Sequence, residues 1–230
     1  MTSSYSQILR SSSIMGGAQV VNYALGLVRV KAIALLLGPA GVGVIGIYSA
    51  ATSLLGTITG LGVSGSAVRT IASAEGAGDH VAVAVAVLTL RRLCWITGAF
   101  GLLLSAIAAQ PLSRWLFRSE DHAWALAVLG ITLLLSALSN GQLALLQGLR
   151  RVGDIARIQI FAGLLNTCIA VGIYFLLRDD GIVVALILNA LVTLGISYSM
   201  SRSVKVEGVS LSFSETVASA KPMIALGTAM

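Results

Sequence analysis

Long apolar runs follow one another along the whole 230-residue sequence, and few charges interrupt them. A helix needs about 20 consecutive apolar residues to cross the hydrocarbon core of a bilayer. The runs that meet this length are 12–37, 43–68, 93–112, 123–147, 155–177 and 181–202. Because hydrocarbon offers no hydrogen bonds to a backbone, a spanning run must bond within itself as a helix. The sequence therefore predicts an all-α, polytopic transmembrane helix bundle.

Composition agrees with a lipid environment. Hydrophobic residues make up 57% of the chain and charged residues only 10%, whereas a soluble domain carries roughly 25% charged residues. The 25 glycines are typical of membrane helices that approach one another closely. Too little polar surface is available to cover a water-soluble domain of this size.

Two regions are predicted along the chain. Residues 1–203 form a lobe of six transmembrane helices, and residues 204–230 form a cytoplasmic linker and the start of a seventh helix. That last run begins near Lys221 and continues for about ten residues to Met230, which is half the length of a crossing. We expect the sequence to be a fragment, a truncated gene or one half of a larger protein.

One segment has an alternating pattern that is ambiguous. Residues 81–87 read VAVAVAV, but valine and alanine are both apolar, so no polar face emerges. A single strand near lipid would leave its backbone groups unpaired. We predict that this segment is a helical extension at the membrane surface that leads into the third span.

The distribution of lysine and arginine between loops predicts a cytoplasmic N-terminus. With that orientation, the cytoplasmic side holds Arg10, Arg69, Arg91, Arg92, Arg150, Arg151, Arg157, Arg202, Lys205 and Lys221. The outer side holds Arg114, Arg118 and Arg178. The net charge of +6 follows mostly from this asymmetry, and no aromatic–basic pattern indicates nucleic acid as a partner.

The sequence shows no arrangement of residues for covalent chemistry. Cys94 and Cys168 fall on different predicted spans without the spacing of a zinc or redox site, so we interpret them as small packing residues. No nucleophile–histidine–acid set and no phosphate-cradling loop is visible. We therefore expect neither an enzyme, nor catalytic residues, nor a metal or other cofactor.

Two cations lie within the first predicted span. Arg29 is roughly 12 Å from the end of that span at Leu37, at about 1.5 Å per residue, and Lys31 is nearer the outer face. Either side chain could reach the headgroups along its apolar stem, or face a polar cavity that lowers the cost of burying a charge. Gln19, Asn22 and Arg29 share one helix face, which favours a cavity for Arg29.

Three other predicted spans carry polar stripes at helical spacing. These are Ser136, Asn140 and Gln147; Gln159, Gly163 and Asn166; and Asn189, Thr193 and Ser197. Each stripe alone could serve hydrogen bonds between helices. Four stripes together with an intramembrane cation favour a hydrophilic lumen. With cations and no carboxylate in the spans, that lumen would attract an anion, and arginine suits a phosphate best because its planar fork binds two oxygens.

Two stretches resemble bacterial O-antigen and polysaccharide flippases of the multidrug/oligosaccharidyl-lipid/polysaccharide exporter superfamily. RVKAIALLLGPAGVGVIGIYSAATSLLGTITGLGVSGSAVRTIAS (residues 29–73) is similar to their opening helices. SNGQLALLQGLRRVGDIARIQIFAGLLN (residues 139–166) is similar to their fourth and fifth helices with the basic loop between them. KPMIALG (residues 221–227) resembles the start of their seventh helix, so the resemblance extends over essentially the whole chain.

The resemblance implies a function and a location. Such proteins move undecaprenyl-diphosphate-linked oligosaccharide across the bacterial inner membrane by alternating access, using two six-helix lobes. A substrate-binding role carries over to Arg29 and Lys31, the positions that match the basic first-helix motif. The expected partners are the lipid-linked glycan, the bilayer, a missing C-terminal lobe or second copy, and polysaccharide polymerase machinery.

The candidate substrate-binding residues are therefore Gln19, Asn22, Arg29, Lys31, Arg69 and Asn140. Three other functions stay open. A multidrug-type antiporter of the same superfamily would want a carboxylate in the membrane. A non-transporting membrane subunit of a polysaccharide assembly complex would need no lumen. A membrane glycosyltransferase or polymerase would want acidic catalytic residues at a membrane face.

Overall fold

The computed structural model describes residues 2–60 and 62–204, with side chains from Ser13 onward. Helices make up nearly all of this part, which contains no strand. They are α1 (Thr2–Gly60), α2 (Val63–Gly76), α3 (His80–Phe117), α4 (Ala123–Gly148), α5 (Val152–Leu177) and α6 (Gly181–Ser201), with a 3-10 turn at Arg178–Asp180. The all-α prediction is confirmed for the described residues. The predicted linker and seventh helix lie outside them, apart from Val204.

Within the described ranges, four helical stretches are long and apolar enough to cross a membrane. They are Ser13–Gly60 with 48 residues, His80–Phe117 with 38, Ala123–Gly148 with 26 and Val152–Ser201 with 50. The first and last are about twice as long as one crossing needs. Each of those two contains an irregular point near its middle, at Gly38 and at the 3-10 turn. The chain is a helical membrane protein.

α1 is divided at Gly38, where φ is 68° and ψ is −174°. Glycine takes this positive φ without steric cost, and Pro39 then fixes its own φ and lacks an N–H to continue the helix ladder. The first arm (residues 2–37) packs on α5, where Asn22 approaches Gly163 and Arg29 lies by Tyr174. Both contacts advance in the same order along the two helices, so the first arm runs parallel to α5.

The second arm of α1 (residues 39–60) runs parallel to α4 instead. Tyr48 hydrogen-bonds to His122 just before α4, and further along Gly56 faces Leu133. α4 and α5 fold back on each other, because Leu146 near the end of α4 packs against Ile155 at the start of α5. The two arms of α1 therefore run in opposite directions.

Glycines bring α3 and α4 into close contact. A Cβ built on Gly130 would lie 3.0 Å from the carbonyl oxygen of Leu102, and one on Gly98 would lie 3.1 Å from the Cα of Leu134. Such distances leave no room for a side chain. Gly141 similarly faces the Cys94 sulfur, which agrees with a packing role for that cysteine.

The first half of α3 is helical, as predicted for residues 81–87, and the strand alternative is wrong. It is also buried further than expected, because Val87 and Leu90 pack against Ile71 of α2 and Leu145 of α4. The predicted span 43–68 is not one straight helix. α1 ends at Gly60, and Gly62 takes a left-handed φ of 63° before α2 begins.

Candidate functional site

Two adjoining cavities lie between the helices. The first has a volume of about 420 Å³ and lies between the second arm of α1, α3, α4 and the start of α2. The second, of about 280 Å³, lies between α4, α5, α6 and Thr52 of α1. Both are lined by Thr52, Thr132, Ser136 and Asn140, so they meet at these four side chains. We refer to the two together as the central cavity.

The polar side chains of the central cavity are hydroxyls and carboxamides. The first cavity contributes Ser53, Thr57, Thr59, Ser64 and Thr97 beyond the shared four, and the second contributes Ser139, Asn166, Asn189 and Thr193. Neither lining contains a lysine, arginine, histidine or carboxylate. Hydroxyl and amide groups both donate and accept hydrogen bonds, so the lining suits a neutral, polyhydroxylated ligand better than an ion.

Several of these hydroxyls bond to their own helix. Thr52 Oγ1 donates to the carbonyl oxygen of Tyr48 at 2.9 Å, and Thr59 Oγ1 donates to that of Leu55 at 2.9 Å. This local bond satisfies the donor without requiring a partner helix. The hydroxyl oxygen still has lone pairs that can accept a hydrogen bond from a ligand.

The carboxamides are less well satisfied. Asn166 Nδ2 donates to Thr193 Oγ1 at 3.0 Å, but Asn166 Oδ1 is buried without a protein partner. Asn189 is 7% exposed, and both of its amide atoms lack a protein partner. An unsatisfied buried polar group costs about 1–3 kcal/mol. Water or a ligand hydroxyl in the cavity would remove that cost.

The polar stripe of α1 lies at the interface with α5. Asn22 Nδ2 donates to the carbonyl oxygen of Ala18 at 3.1 Å, while its Oδ1 occupies the space that a Cβ on Gly163 would need. Gly163 is one turn from Asn166 on α5, so this part of the stripe comes close to the wall of the central cavity. Gln19, in contrast, is exposed.

Arg29 is half-buried and faces α5. Its guanidinium interacts electrostatically with the hydroxyl of Tyr174, which is fully buried, although the pair falls outside strict hydrogen-bond geometry. Within residues 13–60 and 62–204, no carboxylate lies within 4.0 Å of Arg29. Its charge is therefore not neutralised by an ion pair there.

The six predicted site residues are thus spread over three places. Asn140 lines the central cavity, whereas Asn22 and Arg29 lie between α1 and α5. Lys31 and Arg69 are exposed, as is Gln19. Of the six, only Asn140 is part of the cavity wall.

Sequence reasoning found Ser136 but missed the other serines and the threonines of the first cavity. Ser53, Thr57 and Gly60 follow steps of four and three and so share one face of α1, while Ser64 reaches the same cavity from the start of α2. Thr132 likewise extends the stripe of Ser136 and Asn140 by one turn. Serine and threonine were easy to overlook because both are common in membrane helices, where they bond to the backbone.

The carboxylates of the described chain lie at helix ends or in turns. Asp154, in the first turn of α5, pairs with Arg151 at 2.8 Å and with Arg157 at 3.5 Å. On the opposite side, Arg114 pairs with Glu120 at 2.6 Å. Within the described ranges, no group of three or more histidine, cysteine, aspartate or glutamate residues could hold a metal ion.

Comparison with known proteins gives one informative match. A family model described as polysaccharide biosynthesis protein matches residues 8–228, which is nearly the whole sequence. No curated protein and no solved structure matches the chain.

Proposed function

Because the chain belongs to the polysaccharide biosynthesis protein family, we propose that it is a flippase for a lipid-linked oligosaccharide. The substrate would be an undecaprenyl-diphosphate-linked unit of O-antigen or a related polysaccharide. The protein would move it across the bacterial inner membrane by alternating access. The observation that carries this proposal is the uncharged hydroxyl and carboxamide lining of the central cavity.

The proposed mechanism divides the substrate among three environments. The glycan exchanges its hydrogen bonds with water for bonds to Asn140, Asn189 and the hydroxyls of the central cavity. The diphosphate meets Arg29, whose fork can bind two oxygens and whose charge has no carboxylate partner in the described chain. Lys31 adds a second positive charge, and the polyprenyl tail stays in lipid. No covalent bond forms or breaks, so the mechanism needs no catalytic residue and no cofactor.

The proposed function also implies a membrane topology and a set of partners. The two 48- and 50-residue stretches would each cross the membrane twice, which gives six proposed spans in the described residues, with a cytoplasmic N-terminus. A second helical lobe, or a second copy of this chain, would close the open side of the central cavity. Polysaccharide polymerase machinery would receive the translocated unit.

The multidrug-type antiporter is the weaker candidate. A carrier of organic cations would be helped by a carboxylate in its binding cavity, and none lines the central cavity. The nearest charge on the polar stripe of α1 is Arg29, which would repel a cation.

The test is charge removal at Arg29, introduced into the protein in its native host. Arg29→Ala should abolish delivery of glycan to the outer leaflet at matched expression. Arg29→Lys should retain part of this delivery, because the lysine ammonium keeps the charge but cannot bind two oxygens as the planar guanidinium does. Lys31→Ala should reduce delivery less, since Lys31 is exposed. Arg202→Ala is the matched control, because Arg202 is an exposed cation at the end of α6.

Wild-type delivery by Arg29→Ala would exclude the anion-binding role and leave Arg29 as a cation that reaches the headgroups. If neither these variants nor Asn189→Leu in the wall of the central cavity changes delivery, the non-transporting subunit becomes the better description.

A further inference from the structure

An apolar groove of about 480 Å³ lies between α3, α4 and α6, on a different side of the α3–α4 pair from the central cavity. Leu138, Leu191 and Leu194 form most of its floor, and Gly141 and Gly195 widen it. A Cβ on Gly195 would meet nothing within 4 Å. The space over Gly195 is therefore free of protein atoms, and the mainly apolar lining of the groove suits a hydrocarbon chain.

Polar and aromatic side chains lie at one end of this groove. Arg91 and Gln142 line it, and Trp95 and Tyr198 border it with 58% and 53% of their surfaces exposed. This end belongs to the same side of the bundle as the turn between α4 and α5, because Leu90 packs against Leu145. In the proposed topology that side is cytoplasmic. Exposed tryptophan and tyrosine are typical of the headgroup level of a membrane.

The groove and the central cavity are separate compartments. Cys94 lines both of them, and its contact with Gly141 makes the wall between α3 and α4 one side chain thick at that point. Both residues are buried. A large glycan bound at Arg91 would therefore be cut off from the central cavity, so the groove does not suit the lipid-linked substrate.

We propose that this groove binds a resident phospholipid with an anionic headgroup, such as phosphatidylglycerol. One acyl chain lies along the floor over Gly141 and Gly195, and the phosphate pairs with Arg91. In the described part of the chain, no carboxylate lies within 4.0 Å of Arg91 to compete for that role. Cytoplasmic-leaflet lipids carry negative charge, and one cation near the surface gives roughly a fivefold preference for them.

Trp95 offers a built-in reporter for the test. The other tryptophans are Trp115, near the end of α3, and Trp124, at the start of α4, and both lie away from the groove. Replacing both with phenylalanine (Trp115→Phe and Trp124→Phe) leaves Trp95 as the single tryptophan fluorophore. The purified full chain is placed in phosphatidylcholine vesicles that contain a small fraction of tail-brominated lipid. We expect brominated phosphatidylglycerol to quench Trp95 at roughly fivefold lower fractions than brominated phosphatidylcholine.

Two substitutions in the same background, each with a control, separate the contribution of the Arg91 charge from that of the space in the groove. Arg91→Gln should make the two brominated lipids quench equally, whereas Arg150→Gln, which removes a cation from the nearby turn, should keep the preference. Gly195→Leu should fill the groove and lower quenching by both lipids. Gly172→Leu is its control, because Gly172 is exposed on α5 with nothing within 4 Å of a Cβ. Far-ultraviolet circular dichroism at matched helicity confirms that each variant is folded.

Equal quenching by the two lipids in the unmodified groove would overturn the proposal, as would a preference that survives Arg91→Gln. Competition by unlabelled undecaprenyl phosphate is a further measurement. If it relieves quenching more effectively than unlabelled phosphatidylglycerol at the same fraction, the groove belongs to the polyprenyl carrier, and the assignment to a resident phospholipid is wrong. The result at Arg29 is independent of this test, because Arg29 does not line the groove.

Discussion

The α3–α4 interface and the α5–α6 interface are built in different ways. Glycines let α3 and α4 approach until backbone meets side chain, as at Gly98 and Gly130. α5 and α6 are joined instead by the bond between Asn166 and Thr193, beside the unpaired amide of Asn189. Because lipid provides no hydrophobic force between helices, steric fit and polar bonds are the two available means of association.

The difference assigns unlike roles to the two interfaces. Close packing has one low-energy arrangement, since a small shift separates many atoms at once. Polar bonds beside a cavity can be exchanged for bonds to water or to a ligand at little net cost. α4 belongs to both regions: Gly130 faces α3, while Ser136 and Asn140 line the central cavity. The α3–α4 pair is therefore suited to be a fixed wall, and α5–α6 a surface that can rearrange.

The largest expected effect comes from overfilling the fixed wall. Gly130→Val would place a side chain against the backbone of Leu102, which cannot move aside as a flexible side chain can. We expect the free energy of unfolding to fall by about 3 kcal/mol or more, measured by SDS titration in mixed micelles. Gly172→Val is the matched control, because it adds the same residue at an open position of α5. Equal stability of the two variants would show that α3 and α4 can separate easily.

A smaller change in the free energy of unfolding, of opposite sign, is expected at the α5–α6 interface. Asn189→Leu removes two unpaired buried polar atoms, so we expect the free energy of unfolding to rise by about 1 kcal/mol while glycan delivery falls several-fold. The converse change, Leu134→Asn over Gly98, puts an amide into the close α3–α4 contact and should lower stability by about 2 kcal/mol. Loss of stability in Asn189→Leu would mean that its amide is held by bonds that the protein depends on.

The helical conformation was predictable from the sequence, because a long apolar run in hydrocarbon can satisfy its backbone hydrogen bonds internally only as a helix. The fourth predicted span, 123–147, nearly coincides with α4 (Ala123–Gly148). The break at Gly62 was not predicted, since a glycine in a membrane helix is as often a packing residue as a bend. Its left-handed φ is a consequence of how α2 turns to pack on α3 and α4, which is tertiary information.

The candidate site was predictable only in part. Helical spacing grouped Asn189 with Thr193, because side chains three or four apart share a face, and both line the central cavity. Gly163, which the same spacing grouped with Asn166, faces Asn22 of α1 instead. Spacing within one helix does not say which neighbour that face meets. The contact of Arg29 with Tyr174 and the neutral lining around Asn140 both depend on how separate helices are arranged.

The smallest expected effect concerns the bond between Asn166 and Thr193. Thr193→Val keeps the shape of the side chain and removes the hydroxyl that accepts from Asn166 Nδ2 at 3.0 Å. Hydrogen bonds between membrane helices average about 0.6 kcal/mol, so we expect a loss of that size in the free energy of unfolding. Thr167→Val is the control, because the Thr167 hydroxyl donates to the carbonyl oxygen of Gly163 in its own helix.

A double-mutant cycle isolates the pair. Adding Asn166→Ala to Thr193→Val should cost about 0.6 kcal/mol less than the sum of the two single changes, because the bond can be lost only once. The coupling energy also tests whether the α5–α6 interface can rearrange. A coupling near zero would mean that water already replaces the bond freely, and a coupling above about 1.7 kcal/mol, the top of the range measured for such bonds, would make α5–α6 as fixed as α3–α4.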